Sequence, residues 1–147
     1  MILGKKAGLL LTLCAALALS ACASPAPNDQ NATKESGEQT MITTVSPEDV
    51  KAKIEEGSAI ILDVRTPEEY KQAHLPGAKL LTNETISEDT AAVLLPQKDA
   101  QIIVYCRSGA RSAQAAQKLV KLGYTHIMDM GGILHWPYDT QAGEWQP

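Results

Sequence analysis

The stretch Cys106-Arg107-Ser108-Gly109-Ala110-Arg111 holds the residue types that nucleophilic chemistry needs. A thiolate is a strong nucleophile and a neutral thiol a weak one, so the surroundings must favour ionisation. Gly109 and its small neighbours let the backbone curl until several N–H groups converge, which makes a nest for an anion. A helix follows, and its N-terminus carries partial positive charge. Arg107 and Arg111 add two full charges. Cysteines in such settings ionise at roughly pH 3.5–7.5. Cys106 is therefore the candidate catalytic nucleophile, and Arg107, Ser108, Gly109, Ala110 and Arg111 are the candidate substrate-binding loop. The alternative is a structural cysteine buried at a strand end, against which the two arginines and the glycine turn argue.

Elements that would position this loop can be read on both sides of it. Gln101 to Tyr105 (QIIVY) is a dense apolar run, as expected of a strand buried on both faces. Ser112 to Leu122 has strong helix formers, Lys118 and Lys121 near its end and Gly123 as terminator. Upstream, Ile42 to Val45 suggests a short strand. Ser46-Pro47-Glu48-Asp49 then starts a helix that stops at Gly57. Ala59 to Val64 is a second buried strand. Thr66-Pro67-Glu68-Glu69 has capping-box spacing and starts a short helix, broken by His74-Leu75-Pro76-Gly77. Ala78 to Leu81 is a further strand, Ser87 caps a third helix that ends before Pro96, and Thr125 to Met130 is the last strand. After Gly131-Gly132 a short helix runs through Trp136. Strands alternating with helices predict an α/β fold: a central, mostly parallel sheet of about five strands with helices on both faces. In such sheets ligands bind at the carboxyl ends of strands, where Cys106 lies.

The ends and the composition set the compartment. The chain has 147 residues, 44% of them hydrophobic, and a formal net charge of −4. That suits one globular domain and offers no basic patch for nucleic acid. Lys5 and Lys6 precede an apolar run from Ala7 to Leu19 and the small residues Ser20-Ala21, the pattern of a secretory signal peptide. The run is shorter than the ~20 apolar residues that cross a bilayer comfortably. Leu19-Ser20-Ala21-Cys22 resembles the lipobox of bacterial lipoproteins, which implies lipidation of Cys22 and a membrane anchor on the extracytoplasmic side of the cell envelope. Residues 1–21 are thus expected to be a lipoprotein signal peptide. Residues 22–40, rich in Pro, Asn, Gln, Ser and Glu, are expected to be a lipidated N-terminus and flexible tether of on the order of 25 Å. The folded domain is expected over 41–147. Cys14 falls in the signal segment and Cys22 is the lipid site, so Cys106 is the one thiol left for chemistry.

Several motifs together resemble the rhodanese family. They are Asp63-Val64-Arg65, Glu69-Tyr70 leading to His74-Leu75-Pro76-Gly77-Ala78, then CRSGAR, then Gly131-Gly132 with Trp136, in the family's order and spacing. The resemblance spans about residues 45–138, and Ala73 departs from the glycine usual before the histidine. It implies a single rhodanese-like domain and a sulfurtransferase. Cys106 would take the outer sulfur of thiosulfate or another persulfide or polysulfide donor and hold it as a persulfide cradled by the N–H groups of residues 107–111. A thiol or cyanide would then accept it, in ping-pong fashion. Arg107 and Arg111 would attract the small anionic donor. Asp63 and Arg65 match supporting positions, for which a structural ion pair is an equal reading. His74 reads as structural, and Gly131, Gly132 and Trp136 as packing residues. The implied enzyme needs no cofactor and no metal, and acts as a monomer.

Three rivals stay open. Phosphatases and arsenate reductases also place a cysteine in an anion-binding loop, but tyrosine-phosphatase loops carry arginine six positions after it, and Arg111 is the fifth. A non-catalytic binding module of the same fold would be signalled by loss of the cysteine, which is present. A sulfur carrier dedicated to one partner would share every motif.

Overall fold

The computed structural model describes residues 42–147. The expected signal peptide, Cys22, the expected tether and Met41 lie outside the described residues. Five strands form one parallel sheet: β1 (Thr43–Thr44), β2 (Ile60–Asp63), β3 (Lys79–Leu80), β4 (Gln101–Cys106) and β5 (His126–Gly132), in the order β1-β5-β4-β2-β3. β4 lies in the middle, paired with β2 on one side and β5 on the other. All but its first residue are buried.

Four helices cover the sheet: α1 (Pro47–Glu56), α2 (Pro67–Gln72), α3 (Glu88–Leu94) and α4 (Ala110–Lys121). Their starts follow from local chemistry. The side chains of Ser46, Thr66 and Ser87 each accept a hydrogen bond from an N–H of the first turn, and proline opens α1 and α2. Thr66 and Glu69 form the expected capping box, and so do Ser87 and Thr90. Gly57 ends α1 in the left-handed conformation, at φ 63°.

Alternation along the strands divides the core in two. Leu62, Val64, Ile102, Val104 and Cys106 pack with Ala115, Ala116 and Leu119 of α4 and Ala91 of α3. Ile61, Ile103 and Tyr105 pack on the other face with Val50 of α1 and Tyr70 of α2. The reading of helices on both faces of a five-stranded parallel sheet therefore holds.

Several boundaries differ from the sequence reading. β1 is only two residues long, an exposed edge strand. α4 begins at Ala110 rather than Ser112, because Gly109 takes φ 113° and turns the chain into the helix two residues earlier. β5 runs through Gly131 and Gly132, with a register shift opposite Val104 and Tyr105 that leaves Met130 without a partner. Gly131 (φ 82°) completes that bulge, its N–H donating to the Asp129 carboxylate at 2.8 Å. A tail after the last short turn was not anticipated. Gln141 and His74 exchange backbone hydrogen bonds of 2.8 Å each, and Trp145 meets Tyr70 edge-on.

A buried polar network ties β2 to β4. The Tyr105 hydroxyl donates to Asp63 at 2.6 Å and accepts from the Leu75 N–H at 3.1 Å. Replacing Tyr105 by Phe leaves the Leu75 N–H buried and unpaired and removes one donor from the Asp63 carboxylate. The change is expected to cost about 2 kcal/mol, read as a lower urea midpoint at unchanged slope; a loss under about 0.5 kcal/mol would mean that the network contributes little.

Candidate active site

Cys106 ends β4, and its residue is 1% exposed. The next residues turn sharply, and the Gly109 N–H comes back to donate to Cys106 Sγ at 3.1 Å. Burial pushes the thiol up, but the N–H groups of Ser112, Gly109 and Ser108, with the Ser112 hydroxyl, outweigh it and hold the thiol below its ordinary value. Ionisation of Cys106 is favoured, as the loop composition predicted. The cradle itself is displaced: it draws on residues 108, 109 and 112 and extends one position past the expected loop.

Ser112 is the contributor that the sequence reading missed. It is fully buried, and its Oγ lies 2.9 Å from the Gly109 carbonyl and 3.3 Å from the Gly131 carbonyl, so it ties the turn to β5. Its small, helix-neutral type gave no signal beyond marking a helix start. Gly132 was read as packing, and the structure gives that packing a specific content. A Cβ there would lie 2.5 Å from the Arg107 carbonyl and 2.7 Å from Ser108 Cα. Only glycine lets the loop rest on β5.

The two arginines separate. Arg111 belongs to the first turn of α4 and makes a bidentate pair with Glu69 of α2, at 2.7 and 2.8 Å. This qualifies its expected place as an anion ligand, because its charge is already matched. The Arg111 hydrogen bonds hold the Glu69 carboxyl down at about 2. Arg107 is exposed and its guanidinium makes no hydrogen bond or ion pair among the described residues. Ala110 is exposed at the start of α4, and Ser108 is exposed at the turn.

Asp63 and Arg65 form a structural pair. Asp63 is fully buried and accepts from the Arg65 backbone N–H and from its guanidinium, the closest contact being 2.6 Å. Arg65 also donates to the Ala73 carbonyl at 2.6 Å. The pair sits beside Tyr105, on the face opposite the thiol, and neither residue bonds Cys106. Ala73 is extended (φ −165°), a conformation that any residue adopts, so alanine fits where the family usually has glycine. His74 stacks on Tyr70 and donates from Nδ1 to the Tyr70 carbonyl at 2.9 Å. Among the described residues no group of three or more His, Cys, Asp or Glu side chains could hold a metal ion.

A buried thiol at the carboxyl end of a central parallel strand, bonded by an N–H of the turn that follows, is the arrangement that the motifs implied. Residues 46–137 match the rhodanese-like domain. The chain belongs to that family. Among curated proteins it is similar to the thiosulfate sulfurtransferase PspE of Escherichia coli K12, 39% identical over 62 residues, which are 42% of this chain and 59% of that one. It is also similar to a sulfurtransferase of Allochromatium vinosum, 48% identical over 40 residues, or 26% of this chain and 37% of that one. The chain thus spans less than two thirds of the length of these relatives. Among solved structures, a rhodanese with anions from E. coli superposes with TM-score 0.54 at 33% identity, covering 58% of this chain and 99% of that one. A Bacillus halodurans protein gives TM-score 0.61 at 30% identity, over 68% and 77% of the two chains.

The Glu69–Arg111 pair makes the rhodanese-like loop sensitive to acid. A folded-state value near 2, against an ordinary 4.5, means that the pair's contribution to stability is complete above about pH 4.5 and is lost as pH falls toward 2. Glu69→Gln is expected to be less stable than the parent at pH 7, with the gap closing between pH 4.5 and 2 in denaturant titrations. A gap that stays constant across that window would show that Glu69 does not draw on the ion pair.

Proposed function

We propose that this chain is a sulfurtransferase that carries sulfane sulfur as a Cys106 persulfide, held at the outer face of a membrane by a lipid on Cys22. The observation that carries the chemistry is the buried Cys106 sulfur, which accepts from the Gly109 N–H at 3.1 Å and whose ionisation the Ser108 and Ser112 N–H groups favour. In the first half-reaction the thiolate attacks the outer sulfur of thiosulfate. The new S–S bond forms as the old one breaks, and sulfite leaves with its electron pair. Charge stays on one sulfur beyond Cys106, where the same N–H groups hold it. A thiol or cyanide removes that sulfur in the second half-reaction, and no further group has to supply electrons.

The relatives named for sulfurtransferase activity support this reading, and so does the related rhodanese solved with anions. The geometry disfavours phosphoryl transfer. A phosphatase needs its loop arginine free for the phosphoryl oxygens, whereas Arg111 is engaged on both nitrogens by Glu69. The lipid anchor rests on Leu19-Ser20-Ala21-Cys22 after the apolar run.

Protein beginning at Ala23 is expected to gain the mass of one sulfur atom on incubation with thiosulfate or polysulfide, and Cys106→Ser is expected to gain none. Intact-mass measurement decides this, and a wild-type protein that gains no sulfur from any donor sinks the persulfide reading. For the anchor, full-length Cys22→Ser expressed in a bacterial host is expected to leave the membrane fraction; retention there would point instead to an uncleaved apolar segment.

A further inference from the structure

A groove of about 460 Å³ runs between α2, the outer edge of β3 and the C-terminal tail. Pro67, Glu68 and Lys71 line it from α2, Leu80 from β3, and Glu144 and Trp145 from the tail. It shares no residue with the 106–112 turn, and the tail lies past residues 46–137, the span that matches the family. The tail is nevertheless fixed in place. The Gly143 N–H donates to the Lys71 carbonyl at 3.0 Å, Lys71 pairs with Glu144 at 2.7 Å, and Trp145 meets Tyr70 edge-on.

Two features of this groove call for a partner. The first is backbone. β3 ends the sheet on its side. The Leu81 N–H donates to the Asp63 carbonyl, so alternation turns the N–H and C=O of Leu80 away from β2, toward the open edge. Such an edge accepts an added strand. The second is charge. Lys71 and Glu144 match each other, whereas Glu68 is exposed with no hydrogen bond or ion pair among the described residues. The groove is therefore negative by one charge and disfavours anions. Trp145, half-buried, offers a ring to a cation or to its apolar stem. A free small cation would leave Leu80 unmet, and a sugar would leave the Glu68 charge unmet. We propose that this groove docks an extended, lysine- or arginine-bearing segment of a partner protein, which adds to the sheet at Leu80 and sets its cation on Glu68. Every second side chain of the added strand faces the groove, and the volume is that of a site for a few such side chains. Asp63 is in register with both Leu80 and Tyr105, so Leu80 lies two strand spacings, about 10 Å, from the residue before Cys106. The partner is thus held at the same end of the sheet as the thiol.

The test is a titration of the full-length ¹⁵N-labelled chain, in neutral detergent, with capped hexapeptides that alternate valine with lysine, glutamine or glutamate. The lysine peptide is expected to shift the Leu80 amide and the Trp145 indole N–H saturably. Its half-saturating concentration should be about tenfold below that of the glutamine peptide, as one charge contact would give. The glutamate peptide should not bind. Glu68→Gln should remove the preference for lysine over glutamine, Trp145→Ala should weaken binding severalfold, and N-methylation of the lysine peptide's backbone should abolish the Leu80 shift. Unchanged β4 and α4 amide shifts show that each variant is folded, and Glu68→Gln, at an exposed residue, decides the matter even if Trp145→Ala loosens the tail. The proposal is overturned if the lysine peptide leaves Leu80 and Trp145 unmoved, if its preference survives Glu68→Gln, or if the N-methylated peptide binds equally well. Saturable shifts at Trp145 with chitotriose, and none with the peptides, would make the groove a sugar site and overturn it too.

Discussion

A sulfur that is to be negative and yet 1% exposed cannot rely on water. Burying an unpaired charge costs far more than a domain of this size can spare, so the protein's own dipoles must meet it. The Gly109 N–H on Cys106 Sγ, with the N–H groups of Ser108 and Ser112 also favouring the thiolate, is the interaction on which the site depends. For those groups to converge, the chain must reverse within three residues, which requires the positive φ of Gly109. The reversed turn must then lie against β5, which requires that Gly132 have no side chain. The bulge at Met130 brings Gly131 and Gly132 opposite Tyr105 and Cys106. Strand, bulge, turn and helix are thus arranged around one sulfur atom.

Consecutive residues of β4 divide the work. Cys106 points to the α4 face and Tyr105 to the α2 face. On that second face the Tyr105 hydroxyl, Asp63 and Arg65 hold the corner at Ala73 to Leu75. Burial, with Asp63 beside it, pushes the Tyr105 hydroxyl far up, so it stays a proton donor. The corner follows α2, and α2 carries Glu69 near its start. Glu69 in turn grips Arg111 in the first turn of α4, the turn that also supplies the Ser112 N–H. Asp63 and Arg65 are thus linked to the loop through α2 as well as through Tyr105, the neighbour of Cys106 in β4.

The strand and helix pattern was legible because buried parallel strands read as apolar runs and helix starts carry their caps in sequence. Cys106 was legible because only one thiol remained once the first two were set aside. The Glu69–Arg111 pair was not, since a charge in a sequence does not name its partner 42 residues away. Ser112 was missed because the small residues 108–110 resemble a loop, while the conformation of Gly109 starts the helix inside them. The tail at Gln141 to Trp145 has no apolar period. It is held by backbone pairing to His74 and by the Gly143 N–H on the Lys71 carbonyl, neither of which depends on side-chain type.

The engagement of Arg111 also bears on turnover in the proposed reaction. Two free arginines beside a thiolate would bind a dianionic donor tightly, and they would hold the sulfite product just as well. Each unit charge at 4 Å near a protein surface is worth about 4 kcal/mol of attraction. Stabilising substrate and product alike lowers the half-saturating concentration without speeding the chemical step. Because Glu69 neutralises Arg111, the loop keeps one cation without a partner among the described residues, Arg107, together with oriented N–H dipoles. Those dipoles act at short range and favour charge on the sulfur next to Cys106 over charge on a departing sulfite. In the proposed reaction the loop would thereby hold the persulfide more firmly than the leaving group, the order that a sulfur carrier needs.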